Sequence, residues 1–417
     1  MDKKLNKEAF PKPHEIFSYL IITSESFVDF FYKYILYPDK GSIHDCRVLL
    51  EECANMVVGR SNRYKKDGKI YILTFLTQIL NGNFDADKLD YTQRDSYTSG
   101  LALTYGIERF LMKILVYKDE YIDINGEPVA EYRLCVGADA VTTVEELIFN
   151  RNMLYVYMYR HQKVLCVEAL IRDIIDGLVK SNLLMHPCDF LYLTDRDIEI
   201  LNDIPYAGKS MDSLINRVKN RSLPKRLLEL KPEDIENSIV NTDKLKRAFV
   251  NKTLQELESA SGKKEKKRIL TDFPVQISEF DRDAVVFGRI RRITELLGFS
   301  DYENCLEKRK ELYNGIKKEY LKSGYTVDFD LYDIYIVFPK VVVGKCEFIV
   351  VSKDNSAVVN RFEYIEKWSN SFNYSNWRGY IFTDVKIKKE PARKAAQRFI
   401  KKYLRLAEKE LNFELKN

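Results

Sequence analysis

Histidine is scarce in this chain, with four in 417 residues, at His14, His44, His161 and His186. A metal centre built on imidazole has only those positions to draw on. Cysteine offers no substitute. The seven cysteines, at positions 46, 53, 135, 166, 188, 305 and 346, are scattered, odd in number and form no CxxC. Zinc sites cluster their thiols and small secreted domains pair them, so both classes are excluded and a reducing cytoplasm is the expected setting. Long apolar runs are missing too, and no uncharged stretch approaches the length that crosses a bilayer. The first twenty residues carry Pro11, Pro13 and several charges where a signal peptide would have an apolar core. Internal repeats and low-complexity tracts are absent. No charge of one sign dominates either, since 67 Lys and Arg face 62 Asp and Glu. That balance makes no global case for nucleic acid, although Lys263 to Arg268 and Lys386 to Arg405 are locally basic.

What is present suits a packed globular protein of two or three domains, with an apolar fraction of 45% and an aromatic fraction of 12%. The pattern from Glu15 to about Ser181 is mostly helical, with one interruption. Residues Ile114 to Leu134, rich in Tyr, Ile and Val around Asn125–Gly126, predict a β-hairpin. Thr142 or Thr143 then offers a helix cap with Glu145 or Glu146 three residues on, and the helix is expected from Val144 to about Lys180. Residues from about 190 to 260 predict short helices punctuated by Pro205, Pro224 and Pro232. The polar segment Ser259 to Lys267 suits an exposed linker. Beyond it come a helical stretch over 284–323, strand-like runs at Asp333–Phe338 and Cys346–Val351, and a last helix near Pro391. Ala395, Phe399, Tyr403, Leu406 and Ala407 recur there at helical spacing and predict one buried face.

Two segments carry chemistry. In the first, Asp85 to Asp95, a cap at Asp85 would place Asp87, Lys88, Tyr91, Arg94 and Asp95 on one broad helix face. A divalent metal wants carboxylates, and a polyphosphate wants cations and a phenolic donor. The plain alternative is an exposed helix with internal ion pairs. In the second segment, Arg151, Tyr155 and Tyr159 recur every four residues, with His161 roughly opposite Tyr159 at ~100° per residue. Such a stripe is either core packing or a ligand wall, and an arginine within it needs a partner.

The first segment resembles the D-x-D-[KR]-x-D-Y-x-x-R-D signature of HD-domain deoxynucleoside triphosphate (dNTP) triphosphohydrolases, and the second resembles the downstream R-x3-[YH]-x3-Y-x-H pattern of the same family. Arg217 to Leu227 and Tyr380 to Tyr403 carry weaker likenesses. The resemblance implies a mainly α fold, an HD-like helical core with a β-hairpin and a C-terminal α+β lobe. The expected domains are a nucleotide-binding core over 1–190, a helical extension and linker over 191–270, and the lobe over 271–417. It implies Asp87 as a ligand of a divalent metal of the Mg, Mn or Fe class. Lys88, Tyr91 and Arg151 would bind the polyphosphate, Asp95 would meet the sugar 3′-hydroxyl, and Tyr159 would lie against the sugar. His14–Glu15 match the family's later His-Glu, which lines the active site, with His14 the candidate for proton transfer.

The family's earlier His and His-Asp dipeptide have no counterpart at matching spacing and would lie before Met1. A literal His44–Asp45 competes for that role, but Gly41-Ser42-Ile43 before it looks like a loop entering a helix, where Asp45 would be a cap. His186, between Met185 and Pro187, suits a packed or turn position. With Asp87 the one identifiable carboxylate ligand, weak metal retention and little turnover by this chain alone are expected. Three readings stay open: a chain shortened at its start, a partner chain carrying the His-Asp segment, or a dNTP-binding regulatory protein without catalysis. The expected partners are a dNTP, further copies in a homo-oligomer or that partner chain, and nucleic acid along the basic tail, with no membrane.

Overall fold

The computed structural model describes residues 11–36, 41–103, 106–194, 196, 205–206, 209–210, 212–237, 282–297, 302–341, 348–352, 357–360 and 363–414. The protein is mainly α with a smaller β component. Two compact units divide it, one formed by 1–154 with 343–370 and the other by 155–342 with 371–417.

The first unit opens with α1 (Pro13–Ile22), α2 (Glu25–Phe31), a π-turn over Tyr32–Leu36 and α3 (Ile43–Val57), packed around Val28, Cys46 and Leu50. A hairpin of β1 (Arg63–Lys66) and β2 (Lys69–Ile72) follows. It is a second interruption of the helical pattern, where one was expected. Its signal is Asp67–Gly68, with φ of 50° and 73°, the left-handed pair that a two-residue hairpin turn demands. Then come α4 (Thr74–Leu80), α5 (Ala86–Ser99) and α6 (Ile107–Lys113).

The expected hairpin is present as β3 (Ile114–Ile122) and β4 (Pro128–Gly137), antiparallel along their length. Asp123 closes the turn by accepting the Asn125 and Glu127 amides, each at 2.8 Å, and Gly126 supplies a φ of 81°. On its other edge β4 pairs in parallel first with β2 and then with β9 (Phe348–Val351), which in turn pairs antiparallel with β10 (Ala357–Asn360). α7 (Val141–Leu154) lies on this sheet through Val144, Leu147 and Ile148, which meet Leu134, Val136 and Phe348. It begins directly after a short 3₁₀ turn over Ala138–Ala140, and Thr143 is buried, so the threonine cap expected there is not used.

The helix expected to run on to Lys180 breaks: residues 155–159 form a π-turn, His161 is extended, and α8 (Gln162–Lys180) starts afresh. A short 3₁₀ segment (Pro187–Tyr192), the small strands β5 (Pro205–Tyr206) and β6 (Lys209–Ser210), and α9 (Asp212–Lys219) lead to a strand. This is β7 (Lys225–Leu230), in a region expected to be helical, followed by α10 (Pro232–Asn237). The expected linker at 259–267 and the basic run at 263–268 lie outside the described residues. Then come α11 (Arg282–Leu296), α12 (Tyr302–Lys322), β8 (Ile334–Val337), α13 (Glu363–Ser375, shared with the first unit), β11 (Gly379–Thr383) and α14 (Lys389–Glu414).

Strand β11 sits between β7 and β8, antiparallel to both. Both faces of this sheet are covered, so side chains alternate between two cores. Ile334, Ile336 and Ile381 join the core under α11, α12 and α14, whereas Tyr335, Val337, Tyr380 and Phe382 join the core under α8 and α9. The helical stripe read from the last helix is buried as expected, with Ala395, Phe399, Tyr403 and Ala407 all inside.

Packing is close where β11 begins. A Cβ built on Gly379 would stand 2.5 Å from Cε1 of Phe338, whose ring is fully buried. Gly379→Ala is therefore expected to cost about 1–3 kcal/mol through forced displacement of that ring. Thermal unfolding checks it, and an unchanged midpoint would show that the site can give.

Candidate functional site

Helix α5 starts where the sequence places it. Asp85 is extended (φ −73°, ψ 166°) and accepts the Lys88 amide at 2.8 Å. Gly100, with φ of 72°, ends the helix in the left-handed conformation that lacks a Cβ penalty. Leu89, Thr92 and Ser96 form its buried side. The Ser96 hydroxyl ties down the following loop, reaching the carbonyls of Leu101 at 2.7 Å and Leu103 at 2.8 Å.

The broad face expected from spacing divides in two. Lys88, Tyr91 and Asp95 are half-buried along one flank, whereas Asp87, Asp90 and Arg94 are exposed. At ~100° per residue positions 88, 91 and 95 lie within about 60° of one another, while 87, 94 and 90 fall progressively further round the helix on the Tyr91 side. The Lys88 ammonium donates to the Asp85 carboxylate and to the Gly82 carbonyl, the latter at 2.8 Å. Sequence spacing identified Asp85 as a cap but not as the group that holds Lys88. Arg94 pairs with Asp90 at 3.4 Å and approaches Asp95 at 3.7 Å, as the plain ion-pair reading of this helix predicts for its outer side.

Helix α5 packs on α7, and Arg151 sits half-buried in the last turn of α7. Lys88, Tyr91, Asp95 and Arg151 thus belong to two contacting helices of one unit. Tyr155 and Tyr159 belong to the other unit. Their rings meet edge to face at 5.2 Å across the π-turn, which is closed by the Arg160 amide donating to the Tyr155 carbonyl at 2.8 Å. Arg160, not singled out by spacing, lies over the Tyr155 ring at 5.8 Å and donates to the Lys340 carbonyl at 3.2 Å. Burial lowers its pKa from the ordinary arginine value.

The histidines and their acidic neighbours occupy helix starts. His14 is exposed in the first turn of α1, and Glu15 accepts the Lys12 amide at 2.7 Å as a capping residue. Desolvation pushes the Glu15 carboxyl up, but the Lys12 amide and ammonium outweigh it and hold the group below its usual range. Asp45 serves the start of α3 from inside it: Ser42 is the N-cap, and Asp45 accepts the Ser42 amide at 2.8 Å while Ser42 accepts the Asp45 amide at 3.2 Å. The Ser42 bonds hold the Asp45 carboxyl low. His44 beside it is exposed. His161 caps α8, and His186 caps the 3₁₀ segment by accepting the Cys188 amide at 3.2 Å.

Among the described residues no group of three or more His, Cys, Asp or Glu side chains is placed to hold a metal ion. Asp87 is a single exposed carboxylate in the first turn of α5, so the donors around it among the described residues do not by themselves make a divalent-metal site. Among the same residues no helix is long and apolar enough to cross a membrane.

Residues 124–308, which contain Arg151 and Tyr159, match the family model described as the HD associated region. The chain is also 26% identical over 176 residues to an uncharacterized protein of Methanocaldococcus jannaschii, a match covering 41% of this chain and 33% of that relative, so it spans about a third of the relative's length. Among solved structures it is similar to a hypothetical protein from Aquifex aeolicus, at 14% identity and a TM-score of 0.41, over 93% of this chain and 76% of the other. A phosphohydrolase from Bacteroides thetaiotaomicron gives 13% identity and a TM-score of 0.41, over 90% and 81%. Neither structural likeness, at that score, bears on chemistry.

Proposed function

We propose that α5 and α7 form the substrate-holding wall of a deoxynucleoside triphosphate site. Lys88, Tyr91 and Arg151 take the polyphosphate and Asp95 takes the sugar 3′-hydroxyl, with His14–Glu15 lining the site. The observation that carries this reading is the packing of α5 on α7, with Lys88, Tyr91 and Asp95 on one half-buried flank and Arg151 on the neighbouring helix. The HD-associated match over the second segment supports it.

The reaction in this reading is hydrolysis at the α-phosphorus, giving a deoxynucleoside and inorganic triphosphate. It needs a divalent metal whose ligands the described residues do not gather. This chain therefore contributes binding and orientation, and a partner carrying a His-Asp segment completes the site. The second reading is a regulatory protein that binds dNTPs without cleaving them, and the lack of a metal-ligand group among the described residues favours it for the chain on its own.

Thermal unfolding with added dNTPs tests the binding claim. At about 100 times Kd, stabilisation of roughly 2.7 kcal/mol is expected. Lys88→Ala or Arg151→Ala should weaken binding by at least about tenfold, since each removes a charge-assisted bond worth ~1.5–3 kcal/mol. No stabilisation by any dNTP rejects the site. Triphosphate release with Mn²⁺ or Mg²⁺ then separates the two readings. Turnover abolished by Asp87→Ala would show that the chain completes its own metal site, and stabilisation without release identifies the regulatory form.

A further inference from the structure

We propose that the outer face of α14 binds the phosphate backbone of a nucleic acid, independently of the nucleotide site. Charge is segregated onto this segment. Residues 386–407 hold nine Lys and Arg and a single acid, Glu390, against a whole-chain excess of five cations. The excess does not cancel locally. Lys386 is taken up by Asp333 at 2.7 Å, Lys394 by Glu390 at 3.4 Å, Arg398 by Glu319 at 2.8 Å and Lys402 by Glu311 at 2.6 Å. Two of those pairs use Glu311 and Glu319 of α12. Lys388, Lys389, Arg393, Lys401 and Arg405 are exposed and make no ion pair among the described residues.

Geometry suits an extended polyanion better than a small one. Lys389, Arg393, Lys401 and Arg405 are spaced in multiples of four residues, about 6 Å of rise and ~40° of turn per step, so they form a slanted ladder some 24 Å long that winds about 160° round the helix. Along its length α14 is fixed by the buried Ala392, Ala395, Phe399, Ile400, Tyr403 and Leu404. The ladder is therefore held on a rigid element before any partner arrives. A membrane surface fits less well. Every exposed position between 389 and 405 is Lys, Arg, Glu or Gln, so the helix has no apolar side chain to insert among lipid headgroups. Contact through four or five phosphates gives binding that ignores sequence.

Fluorescence anisotropy of the full chain with ~20-residue single-stranded and duplex oligonucleotides tests this, with the slope of log K against log salt expected near −3 and −4 respectively. Binding to either form supports the proposal. The variant K389Q/R393Q/K401Q/R405Q should bind at least about tenfold more weakly, with a flatter slope. K163Q/K180Q/K225Q/K231Q removes equal charge from other exposed positions and should keep its affinity within about twofold. If the first variant fails to fold by circular dichroism, R393Q/K401Q replaces it and should show an intermediate loss. Equal loss in the two quadruple variants, no binding at low salt, or binding to phosphatidylserine vesicles but to neither oligonucleotide would each overturn the assignment.

Discussion

Asp173→Ala is expected to destabilise the second unit by about 3–5 kcal/mol, a large part of the ~5–15 kcal/mol that holds a domain together. Asp173 on α8 is fully buried, and Arg309 on α12 is 4% exposed. The guanidinium donates to both carboxylate oxygens, at 3.2 and 2.9 Å, and stacks against the rings of Tyr332 at 4.9 Å and Tyr335 at 5.0 Å. Removing the carboxylate takes both of these bonds from a desolvated cation, which is the source of the loss. The paired change Asp173→Leu with Arg309→Met should recover most of it, because neither ion then has to be stripped of water. Urea unfolding of the three proteins measures both effects, provided the slope with denaturant is unchanged. A loss below about 1 kcal/mol in the single variant would mean that water reaches the stranded arginine.

Trp377→Ala should be of similar size, about 3–5 kcal/mol, for a different reason. Trp377 is fully buried beside Phe338, with ring centroids 5.8 Å apart, and its indole N–H donates to the Pro339 carbonyl at 2.7 Å. Truncation opens a cavity in the core under α11, α12 and α14 and leaves that carbonyl unsatisfied. Trp377→Phe separates the two effects, since it keeps much of the ring volume and loses the donor, for an expected cost of roughly 1–3 kcal/mol. If phenylalanine is as damaging as alanine, the hydrogen bond dominates, and if it is neutral, the packing does. Denaturant midpoints of both variants decide.

Features governed by local chemistry were legible from the sequence, and those governed by distant pairing were not. The Asn125–Gly126 hairpin, the Asp85 and Asp45 helix starts and the buried stripe of α14 each follow from residues within a few positions of one another. Asp67–Gly68 carried an equally local turn signal, yet the four-residue strands around it are too short to interrupt a helical pattern convincingly. Strand β7 depends on β11, some 150 residues later, for its pairing, and nothing inside Lys225–Leu230 announces that partner.

The candidate site divides along the same line. The positions of Lys88, Tyr91, Asp95 and Arg151 on two helices follow from periodicity. The break after Leu154 does not, because Tyr155 to Tyr159 have sound helical spacing. What distinguishes them is an extra residue in the turn, accommodated by the edge contact of Tyr155 with Tyr159 and by Arg160 lying over the Tyr155 ring. Those interactions become visible only with coordinates. The return of Lys88 onto Asp85 and Gly82 is likewise a matter of side-chain conformation, which spacing does not fix.

Strand β4 has one further implication. Along one edge it needs β2, made early in synthesis, and for Cys135–Gly137 it needs β9, which begins only at Phe348. Everything from Tyr155 to Val342 must leave the ribosome before that slot can be filled. A nascent chain stalled anywhere in between carries an open sheet edge and a vacant place for the Phe348 ring, so completion of the first unit during translation waits until Phe348–Val351 has been made.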